Sequence, residues 1–290
     1  MKTIGFVTSA QDPDMTSDDR AAAAELKKLG IETVPVIWDQ TAPEGLDLLV
    51  LRSTWDYYGK ASEFKSWLLR CRIQGVRLLN PPELALWNLD KEYLLELGGQ
   101  GVAIPKTLYL KAGQLADLAE TLRANHLNEA VIKPAVSMLG FDTWRTSLEA
   151  APKHQSEFAK LLGQKDVLVQ EFLPGILSEG EISAIFFDGQ FSHAVRKIPK
   201  RGEFRIHEEH GGSRISHPLA PSEIASIRSI LEKAQAKTGS PLLYARVDCV
   251  RDGNRWVLME IELLDPALFM GYSPGAHERF ARAIARRVSS

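Results

Sequence analysis

Through residue 88 the chain alternates short apolar runs with amphipathic stretches. "TIGFVTS", "IETVPVIW", "LDLLVLRS" and "VRLLNPP" read as strands, the last ended by two prolines. "SDDRAAAAELKKLG" and "SEFKSWLLRCRIQG" read as helices between them. Ser17 is predicted to cap the first, with Asp18 and Asp19 in its first turn, Lys27 and Lys28 in its last, and Gly30 beyond its end; the second stops at Gly75. Strands alternating with helices imply a parallel sheet with helices on its faces.

The pattern then changes. Helix "LDKEYLLELGG", strand "AIPKTLYL", helix "GQLADLAETLRANH", strands "EAVIKPA" and "FDTWRTS", a helical stretch near "SEFAKLLGQ" and strand "DVLVQEFL" imply a small α+β lobe. The last block carries hairpin "EISAIFFDGQFSHAVRKIP", a Gly-bearing polar loop to about Arg214, helix "PSEIASIRSILEKAQAKTG", hairpin "LLYARVDCVRDGNRWVLMEIEL" and a final helix. The expected fold class is α/β, with α+β lobes, in three units: 1–88, 89–170 and 171–290. No internal repeat or low-complexity linker separates them, so the joins are expected to be packed hinges.

Composition narrows the function classes. The 290 residues are 44% hydrophobic and 25% charged with net charge −2, which is globular and carries neither a nucleic-acid footprint nor a polybasic membrane patch. Cys71 and Cys249 form no CxxC pair, which favours a reducing compartment over a disulfide framework. The apolar run in "MKTIGFVTSAQDPD" is too short for a secretory signal, and no stretch of about 18 apolar residues spans a bilayer. A cytoplasmic monomer or homodimer acting on small molecules is expected.

Two motifs mislead. "GYSPG" matches the nucleophile elbow GxSxG, but that oxyanion hole needs the N–H of the residue after Ser273, and Pro274 has none. Ser273 is instead read as capping the final helix, with Pro274 at its first position. "HEEH", His207 to His210, falls one residue short of HExxH and reads as a polar loop. Neither a P-loop nor a dinucleotide fingerprint occurs.

The informative positions are acids. In "VLMEIELLDP" strand alternation puts Glu260 and Glu262 on one face. In "YARVDCV", Tyr244, Arg246 and Asp248 share a face, and Ala245, Val247 and Cys249 share the apolar other. Asp248, Glu260 and Glu262 are predicted to converge, either on Mg²⁺ or in a surface ion-pair ladder with Arg246. A two-residue Asp252-Gly253 turn would put Asp248 on the wrong face. Convergence therefore predicts an odd loop, Asp252-Gly253-Asn254, with Asn254 left-handed. Lys133 ends the apolar strand "VIKPA", and Lys91 lies at the positive end of a helix dipole; a nucleotide's phosphates would explain both. "RSTWDYY" follows a buried strand at its carboxyl end, where ligands bind in open α/β sheets. Arg52, with Ser53 beside it, is expected to clamp a substrate carboxylate, and Trp55, Asp56 and Tyr57 to shape an amino-acid pocket.

The order NxDK, VIKP, VQEFLPG, GEIS, RKIP, then VD with EIE resembles the ATP-grasp superfamily in its glutathione-synthetase-like branch, over nearly the whole chain. The resemblance implies ATP and Mg²⁺ (two ions, with Mn²⁺ as a substitute). It puts the ATP-phosphate lysines at Lys91 and Lys133, the adenine-binding hinge at Gln170, Glu171, Phe172 and Leu173, and the ribose carboxylate at Glu181. The metal ligands fall on Asp248, Glu260 and Glu262, where the family usually has Asn at the last. In "RKIPKRGEFRIHEEHGG", Lys197 and Arg205 fall where cations meet the γ-phosphate and acceptor, Arg196 faces away, and Gly211 and Gly212 let the loop close. "RSTWDYY", with "LLNPPE", "FSHAVRK" and "YARVD", is similar to the ATP-grasp cyclo-ligases that close the D-cycloserine ring. The activity implied is ATP-dependent joining of a carboxylate to a nitrogen nucleophile through an acyl phosphate, releasing ADP and phosphate, with no dedicated general base. The substrate class is an amino acid, dipeptide or small amino-acid-derived metabolite. A non-catalytic nucleotide-binding regulator and a small-metabolite kinase are the competing readings.

Overall fold

The computed structural model describes residues 2–41, 45–206, 208–239 and 241–289. Strands β1 (Lys2–Thr8), β2 (Ile31–Ile37), β3 (Leu48–Ser53) and β4 (Leu78–Leu79) form a parallel sheet in the order β2-β1-β3-β4. Side-chain alternation divides its residues between two helical layers. Ile4, Phe6, Leu48 and Val50 pack with Ala22 and Leu26 of α1 (Ser17–Lys28) and with Phe280 and Ile284 of α9 (Ala276–Ser289). Val7, Leu49 and Leu51 pack with Phe64 and Leu68 of α2 (Ala61–Ile73). Gly5 is required by close approach, since a Cβ there would lie 2.6 Å from the Leu49 side chain. The cap of α1 is Thr16, not Ser17: Thr16 Oγ1 accepts from the Asp19 backbone N–H at 3.1 Å. A short helix absent from the sequence reading, α3 (Pro82–Asn88), follows the two prolines, with Pro82 in its first turn.

The second sheet is antiparallel, ordered β5-β8-β6-β7, from β5 (Thr107–Leu110), β6 (Glu129–Pro134), β7 (Trp144–Ser147) and β8 (Val167–Glu171). One face packs on α5 (Leu118–Ala124) and α6 (Ala151–Leu162) through Ala130, Ile132, Val167 and Val169. The alternate residues Val131, Lys133 and Gln170 turn to the opposite face and line a cavity.

The third sheet, β11-β10-β9-β12-β13, closes that cavity. It comprises β9 (Glu181–Phe187), β10 (Gln190–Ile198), β11 (Ser213–Ser216), β12 (Tyr244–Asp252) and β13 (Arg255–Glu262), and follows the four-residue helix α7 (Gly175–Ser178). Ala245, Val247 and Cys249 form the apolar face expected of them, against Ile227, Leu231 and Ala234 of α8 (Pro221–Thr238). The helix α4 (Tyr93–Gly99) precedes the second sheet in sequence but packs in this same core through Tyr93, Leu94 and Leu97.

Two asparagines fix the first unit to the end of β13. Asn80 Nδ2 donates to the carbonyls of Tyr244 at 2.9 Å and Leu263 at 2.7 Å. Asn88 Nδ2 donates to Ile261 O, and its Oδ1 accepts from Leu263 N, both at 2.7 Å. Both asparagines are buried, so these bonds are shielded from water and hold the backbone on either side of Glu262.

Candidate active site

The cavity between the second and third sheets has a volume of about 380 Å³, within the range of small-molecule sites. Its floor is the β12–β13 hairpin, where the structure corrects the predicted turn. Asp252 pairs with Arg255 across a two-residue Gly253-Asn254 turn, with Gly253 left-handed at φ 58°. Asn254 is not left-handed. Parity is restored further down. Cys249 pairs with Leu258 but Asp248 pairs with Glu260, leaving Met259 as the extra residue of a β-bulge. The three carboxylates therefore converge as expected, by a different device.

They converge among cations. Arg246 bonds Asp248 at 2.9 Å and also contacts Glu262. Lys197 lies 2.5 Å from Glu181 and 3.1 Å from Asp248; Lys91 lies 3.1 Å from Glu260 and donates to Ser137 O at 2.9 Å. The predicted ladder with Arg246 thus exists, but in the cavity instead of on the surface. Gly180, at φ 78°, lets the chain lie against the Lys197 carbonyl where a Cβ would overlap, which seats Glu181 beside Lys197.

The local field is uneven. Burial raises the Asp248 pKa, but Arg246 and Lys197 outweigh it and hold the carboxyl well below the usual range. Glu262 goes the other way: burial, reinforced by Glu260 and Asp248, pushes it up to about 8 despite the Arg246 contact, because Arg246 is shared with Asp248. Burial pushes the Lys133 ammonium down to about 8, with Lys91 adding and Glu260 opposing. Lys133 has no ion-pair partner among the described residues.

The acids offer the donor chemistry of a magnesium site. Their donors are hard carboxylate oxygens facing one cavity, which is the chemistry Mg²⁺ takes. As they stand they are turned to Lys and Arg, and no group of three His, Cys, Asp or Glu among the described residues is arranged to hold a metal. The donor chemistry fits the ion. The side-chain arrangement fits it only once these pairs open.

On one side of the charged centre the cavity is apolar. Phe172, Ile176, Ile206 and Val250 cluster there, with Val131, Leu173, Phe204 and Met259 against them. The four expected hinge residues Gln170, Glu171, Phe172 and Leu173 all line the cavity. Gln170 Nε2 is held by Thr107 Oγ1 at 2.9 Å, and the Phe172 N–H donates to Glu129 O at 3.1 Å. Arg205 lines the cavity but is forked onto Glu203, whose carboxyl it holds down to about 2.

At the other end the first unit contributes Trp55 and Tyr57. Three neighbouring expectations, for Arg52, Ser53 and Asp56, are corrected. Arg52 is 2% exposed and does not line the cavity: its Nε donates to Asp19 at 2.7 Å, its guanidinium stacks over Phe280, and Nη1 has no hydrogen-bond partner. Ser53 is buried on Thr8 at 2.8 Å, and Asp56 accepts from Trp38 Nε1 at 2.7 Å, so neither reaches the site. Gly211 and Gly212 do not line it; Glu208, Glu209 and Arg214 of the same loop do. Gly211 is left-handed at φ 80°.

The decoys resolve simply. The final helix starts at Ala276, so Ser273 and Pro274 precede it, and Ser273 Oγ accepts from Arg279 at 2.9 Å. Of "HEEH", His207 lies outside the described residues, and Glu208–His210 form a 3₁₀ turn. Among the described residues no helix is long and apolar enough to cross a membrane.

Several lining residues escaped the sequence reading. Met259 was hidden by the bulge. Leu264, Asp265 and Phe269 follow the last strand, and only the acid beside Pro266 in "LLDP" signalled anything. Ser137 to Gly140 and Thr143 belong to the β6–β7 connection, where Leu139, Gly140 and Asp142 are left-handed.

Comparison with known proteins matches both ends of this layout. Residues 4–80 match the family described as D-cycloserine synthetase DcsG, N-terminal domain. The cycloserine biosynthesis protein DcsG of Streptomyces lavendulae is 28% identical over 299 residues, covering 99% of each chain. Glutathione synthetase of Prochlorococcus marinus (strain MIT 9313) is 30% identical over 197 residues, 66% of this chain and 58% of that protein. The crystal structure of D-cycloserine synthetase DcsG superimposes with a TM-score of 0.88 at 26% identity over 99% of each chain. D-alanine–D-alanine ligase from Bacillus anthracis, complexed with ATP, shares the fold at a TM-score of 0.69 and 15% identity, covering 100% of this chain and 98% of that one. Residues 103–270, more than half of the chain, match the family described as prokaryotic glutathione synthetase, ATP-grasp domain, and to that ATP-grasp family the chain belongs.

Proposed function

We propose that the protein is an ATP-dependent, ADP-forming ligase that joins a small-molecule carboxylate to a nitrogen nucleophile through an acyl phosphate. The observation that carries this reading is the cavity itself. Lys91, Lys133, Lys197 and Arg246 face Glu181, Asp248, Glu260 and Glu262 in one small space, with an apolar slot on one side and an aromatic pocket on the other. Phosphoryl transfer needs positioned charge more than a reactive side chain, and this site supplies that.

In this reading the slot of Phe172, Leu173, Ile176 and Met259 holds the adenine, and Glu181 the ribose. Lys91 and Lys133 leave Glu260 and the cavity wall to bind the phosphates. Asp248, Glu260 and Glu262 would hold Mg²⁺, which neutralises charge on the transferred phosphoryl group. A substrate carboxylate oxygen attacks the γ-phosphorus, and the bond to the β-phosphate oxygen breaks to release ADP. The nitrogen lone pair then attacks the acyl carbon, and the C–O bond breaks with its electrons on the departing phosphate. Lys197, Arg205 and Arg246 hold the anionic groups in line through both steps.

We further propose three functional units, 1–88, 89–170 and 171–290, with α4 lodged in the core of the third, and a cytoplasmic location, in keeping with two free buried cysteines.

The test is nucleophilic trapping. A panel of amino acids and dipeptides is incubated with Mg-ATP and hydroxylamine. ADP, phosphate and a hydroxamate are expected for the true carboxylate, and D248N or E260Q should abolish all three. A stable phosphorylated product without hydroxamate would make the protein a kinase, and AMP with pyrophosphate would make it an adenylating enzyme.

A further inference from the structure

Among the described residues, one buried acid in the cavity has no cation beside it. Glu181, Asp248, Glu260 and Glu262 each lie against a Lys or Arg. Asp265, three residues beyond Glu262, makes no ion pair among the described residues, yet it is 4% exposed and lines the same cavity. Burying a carboxylate without a counter-charge is costly, and this one is held in place. Thr54 Oγ1 donates to its Oδ2 at 2.6 Å, and Trp55 Nε1 donates to its carbonyl oxygen at 2.9 Å. Both clamps come from the carboxyl end of β3, so two parts of the fold together set the position of Asp265.

Its surroundings suit a cation. Trp55, Tyr57 and Phe269 line the cavity with it, and aromatic faces attract positive charge. The next cations sit where they would meet a different group. Arg246 Nη1 donates to Ala267 O at 3.2 Å, and Arg214 lies 4.8 Å over the Phe269 ring. Arg52 and Arg246 act on Asp265 only through space, and Tyr57 and Tyr244 are the other titratable groups in its field. Burial pushes its carboxyl up to about 7, against the Thr54 hydroxyl and the two arginines, which is the condition of an acid lacking its partner. The pocket thus presents one fixed, unpaired negative group together with the arginines Arg246 and Arg214.

We propose that Asp265 binds the primary ammonium of the substrate, and that the substrate is a small zwitterion of the α-amino-acid type whose carboxylate faces Arg246 and Arg214. The proposal rests on the ligase reading above and adds a recognition residue to it. Neutral or purely anionic carboxylic acids would leave Asp265 unpaired and be rejected.

The experiment measures thermal shifts of the full chain in saturating Mg-ADP with L- and D-amino acids, each beside its deaminated carboxylic acid. At least one amino acid should stabilise the wild type more than its deaminated partner does. D265N should keep the Mg-ADP shift but lose that preference, with the amino acid binding about thirtyfold or more weakly. D265E, which keeps the charge, should retain the preference. If D265N does not fold, D265S decides, since it removes the charge and leaves Thr54 a partner. An unchanged preference in the charge-free variant overturns the assignment while leaving the ligase reading intact. So does a wild type that shifts with Mg-ADP but separates no amino acid from its deaminated analogue. No Mg-ADP shift in the wild type overturns the ligase reading and this inference with it.

Discussion

Replacing Lys133 with Met separates what its charge costs the fold from what it gives the ligand. The ammonium is pressed from 10.5 down to about 8 by burial, with Lys91 adding and Glu260 opposing. At about 1.4 kcal/mol per unit, that is a penalty of up to about 3 kcal/mol, an upper value because Lys133 is half-buried and water screens it in part. The sign follows from linkage. The folded-state pKa lies below the unfolded one, so the unfolded chain binds more protons between pH 8 and 10.5, and stability rises with pH across that window. Below pH 8 the penalty stands in full. K133M keeps the stem and removes the charge, so its urea midpoint at pH 7 should rise and the advantage should shrink above pH 8. ATP affinity should move the other way. Loss of a charge-assisted contact to phosphate costs about 1.5–3 kcal/mol, or roughly 10- to 150-fold in Kd by calorimetry. A variant that is less stable at pH 7 and binds ATP as tightly as wild type would show that Lys133 is a packing residue and refute the argument.

Two further changes probe the frame. Asp19→Ala strands the buried Arg52 guanidinium and should cost about 3–5 kcal/mol of stability in urea, with most of it recovered in the double variant that also carries Arg52→Met; a cost under about 1 kcal/mol would mean Arg52 has another anchor. His193 is held neutral, its pKa lowered to about 4 by burial, and its Nε2–H donates to the carbonyls of Leu268 at 3.0 Å and Phe269 at 3.1 Å. The unfolded chain therefore binds the extra proton between pH 4 and 6.5, and wild-type stability should fall by up to about 3 kcal/mol as pH drops through that window. His193→Gln should flatten this dependence, and parallel pH profiles for the two proteins would show that the histidine charges without penalty.

The periodic parts of the chain were legible because burial enforces period. Ala245, Val247 and Cys249 announced a core face and form one. Convergence of Asp248 with Glu260 and Glu262 was legible from charge, but the bulge at Met259 was not, because a bulge leaves no composition signal and the turn offered a competing solution. Arg52 misled for a local reason. Its partner Asp19 is remote in sequence on α1, and an arginine near the end of a strand looks the same whether it faces a ligand or a buried helix. Asp265 escaped because it follows the strand end, where alternation no longer assigns a face.

The bulge makes turn and strand two halves of one register count. A two-residue turn alone would set Asp248 against Met259, and one supernumerary residue corrects the offset. A relative with a three-residue turn has no need of it, so a gap opposite Met259 and an insertion at Gly253-Asn254 should appear together or not at all. The correction also puts two successive side chains on one wall, Met259 in the apolar slot and Glu260 beside Lys91. Their spacing is set by a single peptide unit. That unit acts as a gauge: it fixes the distance between the apolar slot proposed for the base and the charged wall proposed for the phosphates.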